Sequence, residues 1–124
     1  MPRAKYSDME PEEFRMIDDN LRKGIANVIV LKQLQRDKTY PYAMLKKFRQ
    51  SKHRIMQDIT KSDIYNILNS LEKEGFVKSR VVSGGPRPQR SYTLTKKGRR
   101  VVLRAGRILR DMITSMRALV LSEF

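Results

Sequence analysis

Between Thr60 and Gly75 the sequence TKSDIYNILNSLEKEG places Ser62, Tyr65, Asn66, Asn69 and Lys73 three and four residues apart, so they share one face of a helix. Most of these side chains both donate and accept hydrogen bonds, and they carry almost no net charge. Asparagine amides match the donor and acceptor pair on an adenine edge, and hydroxyl or ammonium groups match phosphate or guanine. Ile64, Ile67, Leu68 and Leu71 make the opposite, apolar stripe. A face that met only water would run to Glu and Lys, as this segment does at Glu72, Lys73 and Glu74. The earlier turns therefore read as a probe for a nucleic-acid groove.

On this helix Asn66 and Asn69 are candidates for adenine edges, and Lys61 and Ser62 for phosphate or guanine. Tyr65 suits a phosphate or a thymine methyl through its hydroxyl or ring, or equally a place in the core beside the apolar stripe. Asp63 is assigned to capping, because phosphates repel a carboxylate. Thr60 and Asp63 form an expected capping box, and Gly75 is placed to stop the helix. Other chemistry finds little support. One histidine, His53, with no cysteine and no clustered acids makes no metal site. No Gly-rich phosphate loop and no nucleophile beside a base is present, so neither an enzyme nor a cofactor is expected.

The elements that position this probe follow from charge and periodicity. The chain has 124 residues and a formal net charge of +14, which implies a polyanionic partner. Residues 1–20 hold six acids against three basic residues, whereas residues 76–110 hold eleven Lys and Arg and no acid. The second region is where phosphates are expected. The absence of cysteine fits a reducing compartment, and no apolar run is long enough to span a membrane. The expectation is a cytoplasmic, nucleoid-associated protein with no membrane partner.

Phe14, Ile17, Leu21, Ile25, Val28, Ile29, Leu31 and Leu34 recur at helical spacing, with Gly24 a point where the run can bend or divide. Thr39 is the expected N-cap of a second helix from Tyr40-Pro41 to near Ser51, buried through Met44, Leu45 and Phe48. Residues 53–58 read as irregular, and Ile59 as a short strand residue. After the Thr60 helix, residues 76–82 and 90–94 read as strands of a hairpin around the Gly- and Pro-rich residues 83–89. Thr95 is expected to cap a long helix from Lys96 to about Leu121.

Three helices followed by a basic-tipped hairpin make the winged helix-turn-helix plan, in which the third helix enters the major groove. Arg87 and Arg90 are candidates for a neighbouring minor groove. The expected fold is mostly α with a small β-hairpin (α+β), followed by a long C-terminal dimerisation helix. It divides into an acidic N-terminal segment (1–20), a winged-helix DNA-binding domain (21–95) and a C-terminal dimerisation helix (96–124). Val102, Ala105, Leu109, Met112, Met116 and Leu119 follow a heptad-like spacing on that helix. An apolar stripe this long aggregates unless paired, so a homodimer is expected.

The residues from Ile64 to Val77, ending Leu71-Glu72-Lys73-Glu74-Gly75-Phe76-Val77, resemble the recognition helix of PadR-like transcriptional regulators. Gly84 to Gly98 resembles that family's wing and its Leu-Thr-x-x-Gly lead-in to the last helix. Tyr42 sits where the family has the tyrosine of a His-Gly-Tyr motif, with Tyr40-Pro41 in place of His-Gly. Ser62-Asp63 stands in place of Gly-Thr, and Asn66 in place of proline. The resemblance implies double-stranded DNA as partner, with Tyr40 and Tyr42 joining the contact set. It also implies self-association through the last helix, often aided by the first, and in some members a small aromatic or cationic effector near the dimer interface. Met112 and Met116 could line such a pocket, though packing is their ordinary role. The expected function is a sequence-specific regulator, a repressor on a near-palindromic operator. The competing expectation is a chromatin-coating or RNA-binding winged-helix module, which needs the charge but neither a seam nor a reading face.

Overall fold

The computed structural model describes residues 12–36, 40–82, 85–86 and 89–120. Five helices and one hairpin follow in the order α1 (Glu12–Arg36), α2 (Pro41–Arg49), α3 (Arg54–Gln57), α4 (Lys61–Lys73), β1 (Val77–Val82), β2 (Gln89–Leu94) and α5 (Lys96–Leu119). This is the mostly helical fold with a two-stranded antiparallel hairpin and a long last helix that the sequence implies.

Helix α1 runs unbroken for 25 residues through Gly24. A Cβ at Gly24 would meet nothing within 4 Å, so no neighbour presses the helix to bend there. The apolar run of α1 also divides differently from the expected single stripe. Ala26, Val30, Leu31 and Leu34 are buried, whereas Ile17, Leu21 and Ile25 are exposed. The helical domain underlies only the C-terminal half of α1, so the earlier residues project past it. The side chain of Phe14 lies outside the described residues.

The N-cap of α2 is Tyr40, in extended conformation and with no side-chain cap. The residue before a proline is driven into that region by the ring, which explains the shift from the expected cap at Thr39; Thr39 itself lies outside the described residues. Residues 54–57, expected to be irregular, form the single turn α3. Arg49 fixes the following connection: its Nη1 donates to the carbonyl oxygens of Gln57 and of Ile59, the latter at 3.0 Å. Ile59 pairs with no strand; it is a buried plug in the core. Its place just before α4 makes it a packing residue.

Tyr92, Phe48, Met44, Ile64, Leu68, Val30 and Val77 are the deepest side chains, and they join α1, α2, α4 and the hairpin into one core. The hairpin register pairs Val77 with Leu94 at its base and Val82 with Gln89 toward its tip. Its base is buried and its outer end exposed. Helix α5 touches the core only near its start, where Gly98 and Val102 are buried. From Arg110 to Val120 every residue is exposed, so this end of the helix has nothing beneath it among the described residues.

Candidate nucleic-acid interface

The expected capping box at the start of α4 is present. Thr60 Oγ1 accepts from the Asp63 amide at 3.0 Å, and Asp63 Oδ2 accepts from the Thr60 amide at 2.9 Å. At the other end Gly75 takes φ +79°, a conformation glycine enters without the Cβ penalty. The Phe76 amide donates to the Leu71 carbonyl and the Gly75 amide to that of Glu72, which is the Schellman closure. Both ends of the helix are thus satisfied locally. Ile64, Ile67, Leu68 and Leu71 are buried, as their spacing implies.

The outward face carries Lys61, Ser62, Tyr65, Asn69 and Lys73, all exposed. Tyr65, for which core and contact roles were equally open, has 39 % of its surface exposed, which places it outside the core. The Lys61 ammonium sits 6.0 Å from its ring centroid, at the limit of a cation–π contact. Asn66 is exposed too, but it stands on the shoulder of the helix toward α1. There it lines a cleft of about 430 Å³ with Asp19, Arg22, Asp58 and Ser70. Arg22 donates to Asp18 at 3.0 Å and to Asp58 at 2.6 Å on that side, and these carboxylates, Asp18 foremost, raise the pKa of its guanidinium.

The carboxylates inside α4 are both committed. Asp63 serves the cap. Glu72, which in the sequence looks like part of a solvated end, accepts from the Ser79 amide at 3.0 Å and from the Ser79 hydroxyl at 2.7 Å. It therefore straps the helix to strand β1. Arg90 Nη1 donates to the same hydroxyl at 3.0 Å. Arg90 is a strand residue opposite Val81, as its place at the start of the expected second strand implies. Arg87 lies outside the described residues. Periodicity could not have found the strap, since it depends on which strand residue the Glu72 side chain meets.

Among the two tyrosines ahead of the Thr60 helix, Tyr42 is exposed and Tyr40 half-buried, both at the start of α2, which packs against α4. The structure thus brings Lys61, Ser62, Tyr65, Asn69 and Lys73 onto one surface, with Asn66 at its edge and Arg90 across the wing.

Of the residues taken for a seam on α5, Val102 belongs to the chain's own core, and Ala105 and Leu109 are half-buried. These three line a cleft of about 400 Å³ with Val28, Ile29 and Met56. Met112, Met116 and Leu119 are exposed, as are Ile108, Ile113 and Val120. No metal-holding cluster of His, Cys, Asp or Glu occurs among the described residues. No helix among them is long and apolar enough to cross a membrane.

Comparison with known proteins bears on this surface. The model of the transcriptional regulator PadR-like family matches residues 30–104. A solved PadR family transcriptional regulator from Eggerthella lenta superposes with a TM-score of 0.74 and 27 % identity, covering 88 % of this chain and 93 % of that one. A PadR-like transcriptional regulator from Bacillus cereus gives a TM-score of 0.67 at 17 % identity, covering 82 % and 96 %. A transcriptional regulator from Clostridium thermocellum gives 0.66 at 22 %, covering 82 % and 95 %. No curated protein sequence matches.

Proposed function

The chain belongs to the PadR-like family of transcriptional regulators, and on the premise of a DNA-binding regulator we propose that it reads a specific duplex as a homodimer. The observation that carries this reading is the outward face of α4, where hydrogen-bonding side chains stand with no uncommitted carboxylate beside them until Glu74. A helix presented this way can approach phosphates without repulsion and still discriminate bases through Asn69, Ser62 and Tyr65. Lys61 and Lys73, at its two ends, add charge for the backbone.

Two unpartnered apolar faces support the dimer. One is Met112, Ile113, Met116 and Leu119 on α5; the other is Ile17, Leu21 and Ile25 on α1. A two-fold pair joined there sets two α4 helices roughly 34–36 Å apart, and its operator is near-palindromic. Repression then follows by occlusion of a promoter. A small-molecule effector, in this reading, enters the cleft beneath Ala105 and Leu109, where α5 leaves the core.

Selection of binding sites from a random duplex pool tests the proposal. Recovery of one inverted-repeat sequence is the expected result, and Asn69→Ala should weaken that site by about 1–3 kcal/mol while leaving random duplex unaffected. Indifferent recovery of all sequences, or preference for structured RNA, would show instead a protein that coats nucleic acid through charge alone.

A further inference from the structure

Past Lys97 every cation of α5 is an arginine: Arg99, Arg100, Arg104, Arg107, Arg110 and Arg117. Arg100, Arg104 and Arg107 are spaced four and three residues apart, and so form a row about 10.5 Å long on one side of the helix. At 3.6 residues per turn this side lies opposite Val102 and Ala105, which face the chain's own core. The three guanidiniums border a shallow groove with Leu103, Ile108 and Asp111. Arg99 is engaged, donating to the Leu94 carbonyl at 3.4 Å. Among the described residues, no ion pair or hydrogen bond uses the side chains of Arg100, Arg104 or Arg107.

A face that only meets water alternates its charges, as solvated helices do. This one sets three cations against the single Asp111, so like charges raise one another's energy until an anion covers them. The choice of arginine narrows the anion. A point charge would serve solubility equally well as lysine, whereas the planar fork matches phosphate bidentately. Repeated phosphates on a polymer suit a row of forks better than one small anion does.

Placement decides which polymer segment is in reach. Lys97 Nζ donates to the Glu74 carbonyl at 2.9 Å, and a Cβ on Gly98 would lie 1.9 Å from the Phe76 oxygen. Helix α5 is therefore seated on the C-terminal end of α4. The 13 residues of α4 put that seat about 20 Å from the end at Lys61. The arginine row begins at Arg100, just past that seat, and follows α5 on the side turned from the chain's own core.

We propose that the Arg100–Arg104–Arg107 face binds the phosphodiester backbone of a second DNA duplex, so that one dimer joins two duplex segments. The inference rests on the DNA-binding reading above. A duplex recovered from the random pool is immobilised, saturated with protein, washed, and offered a labelled duplex of unrelated sequence. Wild-type protein is expected to capture the label. R100Q/R104Q/R107Q should load onto the first duplex with unchanged affinity yet capture roughly tenfold less of the second. Its capture should also show a salt slope shallower by about 2.7, the value for three lost phosphate contacts. The corresponding triple lysine variant should fall between the two, because the charge remains and the fork is lost.

All three side chains are exposed, so the thermal midpoint of the glutamine variant should match the wild type. Equal capture by wild type and glutamine variant overturns the proposal. So does release of the captured duplex by poly-glutamate or by anionic vesicles more readily than by free duplex, which would assign the face to an acidic protein or a membrane surface. If wild-type protein fails to load onto the first duplex, the function reading fails instead. Direct binding of random duplex by the two proteins then judges the arginine face, and equal affinities refute it.

Discussion

Gly98 and Glu72 are two residues whose identity the local sequence leaves open and whose contacts fix the geometry of the reading surface. Gly98 lets the first turn of α5 pass directly over the Phe76 carbonyl. Alanine there gains about 1 kcal/mol of helix propensity but drives its Cβ into backbone. Gly98→Ala should therefore cost about 2–3 kcal/mol net in urea unfolding, and a neutral result would mean that α5 can shift freely on its seat. Glu72 holds Ser79 by two hydrogen bonds, and Glu72→Gln keeps the shape while removing the charge that strengthens them. We expect a loss of about 1 kcal/mol. The same substitution should act on Tyr92. Burial first, and the Glu72 carboxylate second, raise that phenol above its ordinary pKa of 10.0. The stability gained by keeping the phenol neutral is complete below that ordinary value and is lost as pH rises through the higher folded value. In Glu72→Gln the folded value should move down, narrowing the alkaline window of loss. Following the ring-labelled tyrosines by NMR during an alkaline titration would reveal it.

At the scale of elements, α4 is stabilised at both ends independently of the core. Thr60 and Asp63 close its first turn, and Gly75 with Phe76 closes its last. Thr60→Ala should cost about 1 kcal/mol of stability and weaken duplex binding beyond that loss, since Lys61 and Ser62 sit in the turn that frays. Unfolding curves beside binding curves would separate the two effects. Helix α1 gives the clearest case of an element whose period was right and whose faces were not. Spacing of three and four residues is satisfied by two different stripes on a 25-residue helix. Which stripe meets the core depends on where the domain beneath it ends. Residues 54–57 and Ile59 were obscure for a related reason: Arg49 holds that turn from ten residues away in sequence, and no local propensity reports such a contact.

The whole molecule leaves two apolar faces open, on α1 and on the last third of α5. Burial of four large side chains on α5 would contribute roughly 1.5–3 kcal/mol each against a partner, enough to offset the cost of association. Met112→Glu combined with Met116→Glu should leave folding of the domain intact, because neither side chain touches its core. Sedimentation should then find single chains, and affinity for an inverted-repeat duplex should fall to that of one half-site. Dimers persisting in this variant would place the interface elsewhere. Wild-type binding should be steeply salt-dependent, losing roughly 10³–10⁵ in affinity between 50 and 200 mM salt for six to ten phosphate contacts.

By itself the sequence determined the order of the elements apart from α3, the buried and outward faces of α4, its caps, the hairpin and the long last helix. These depend on periodicity, turn chemistry and side-chain type within a few neighbouring residues, and neighbours are what a sequence displays. Tertiary structure alone decided that Val102 serves the chain's own core, that Ile17 and Leu21 do not, and that Asn66 stands beside a cleft. It also turned Glu72 from a solvated charge into the strap between helix and wing. Each of these depends on what a side chain meets across the fold, and that is set by distance in space rather than by spacing along the chain.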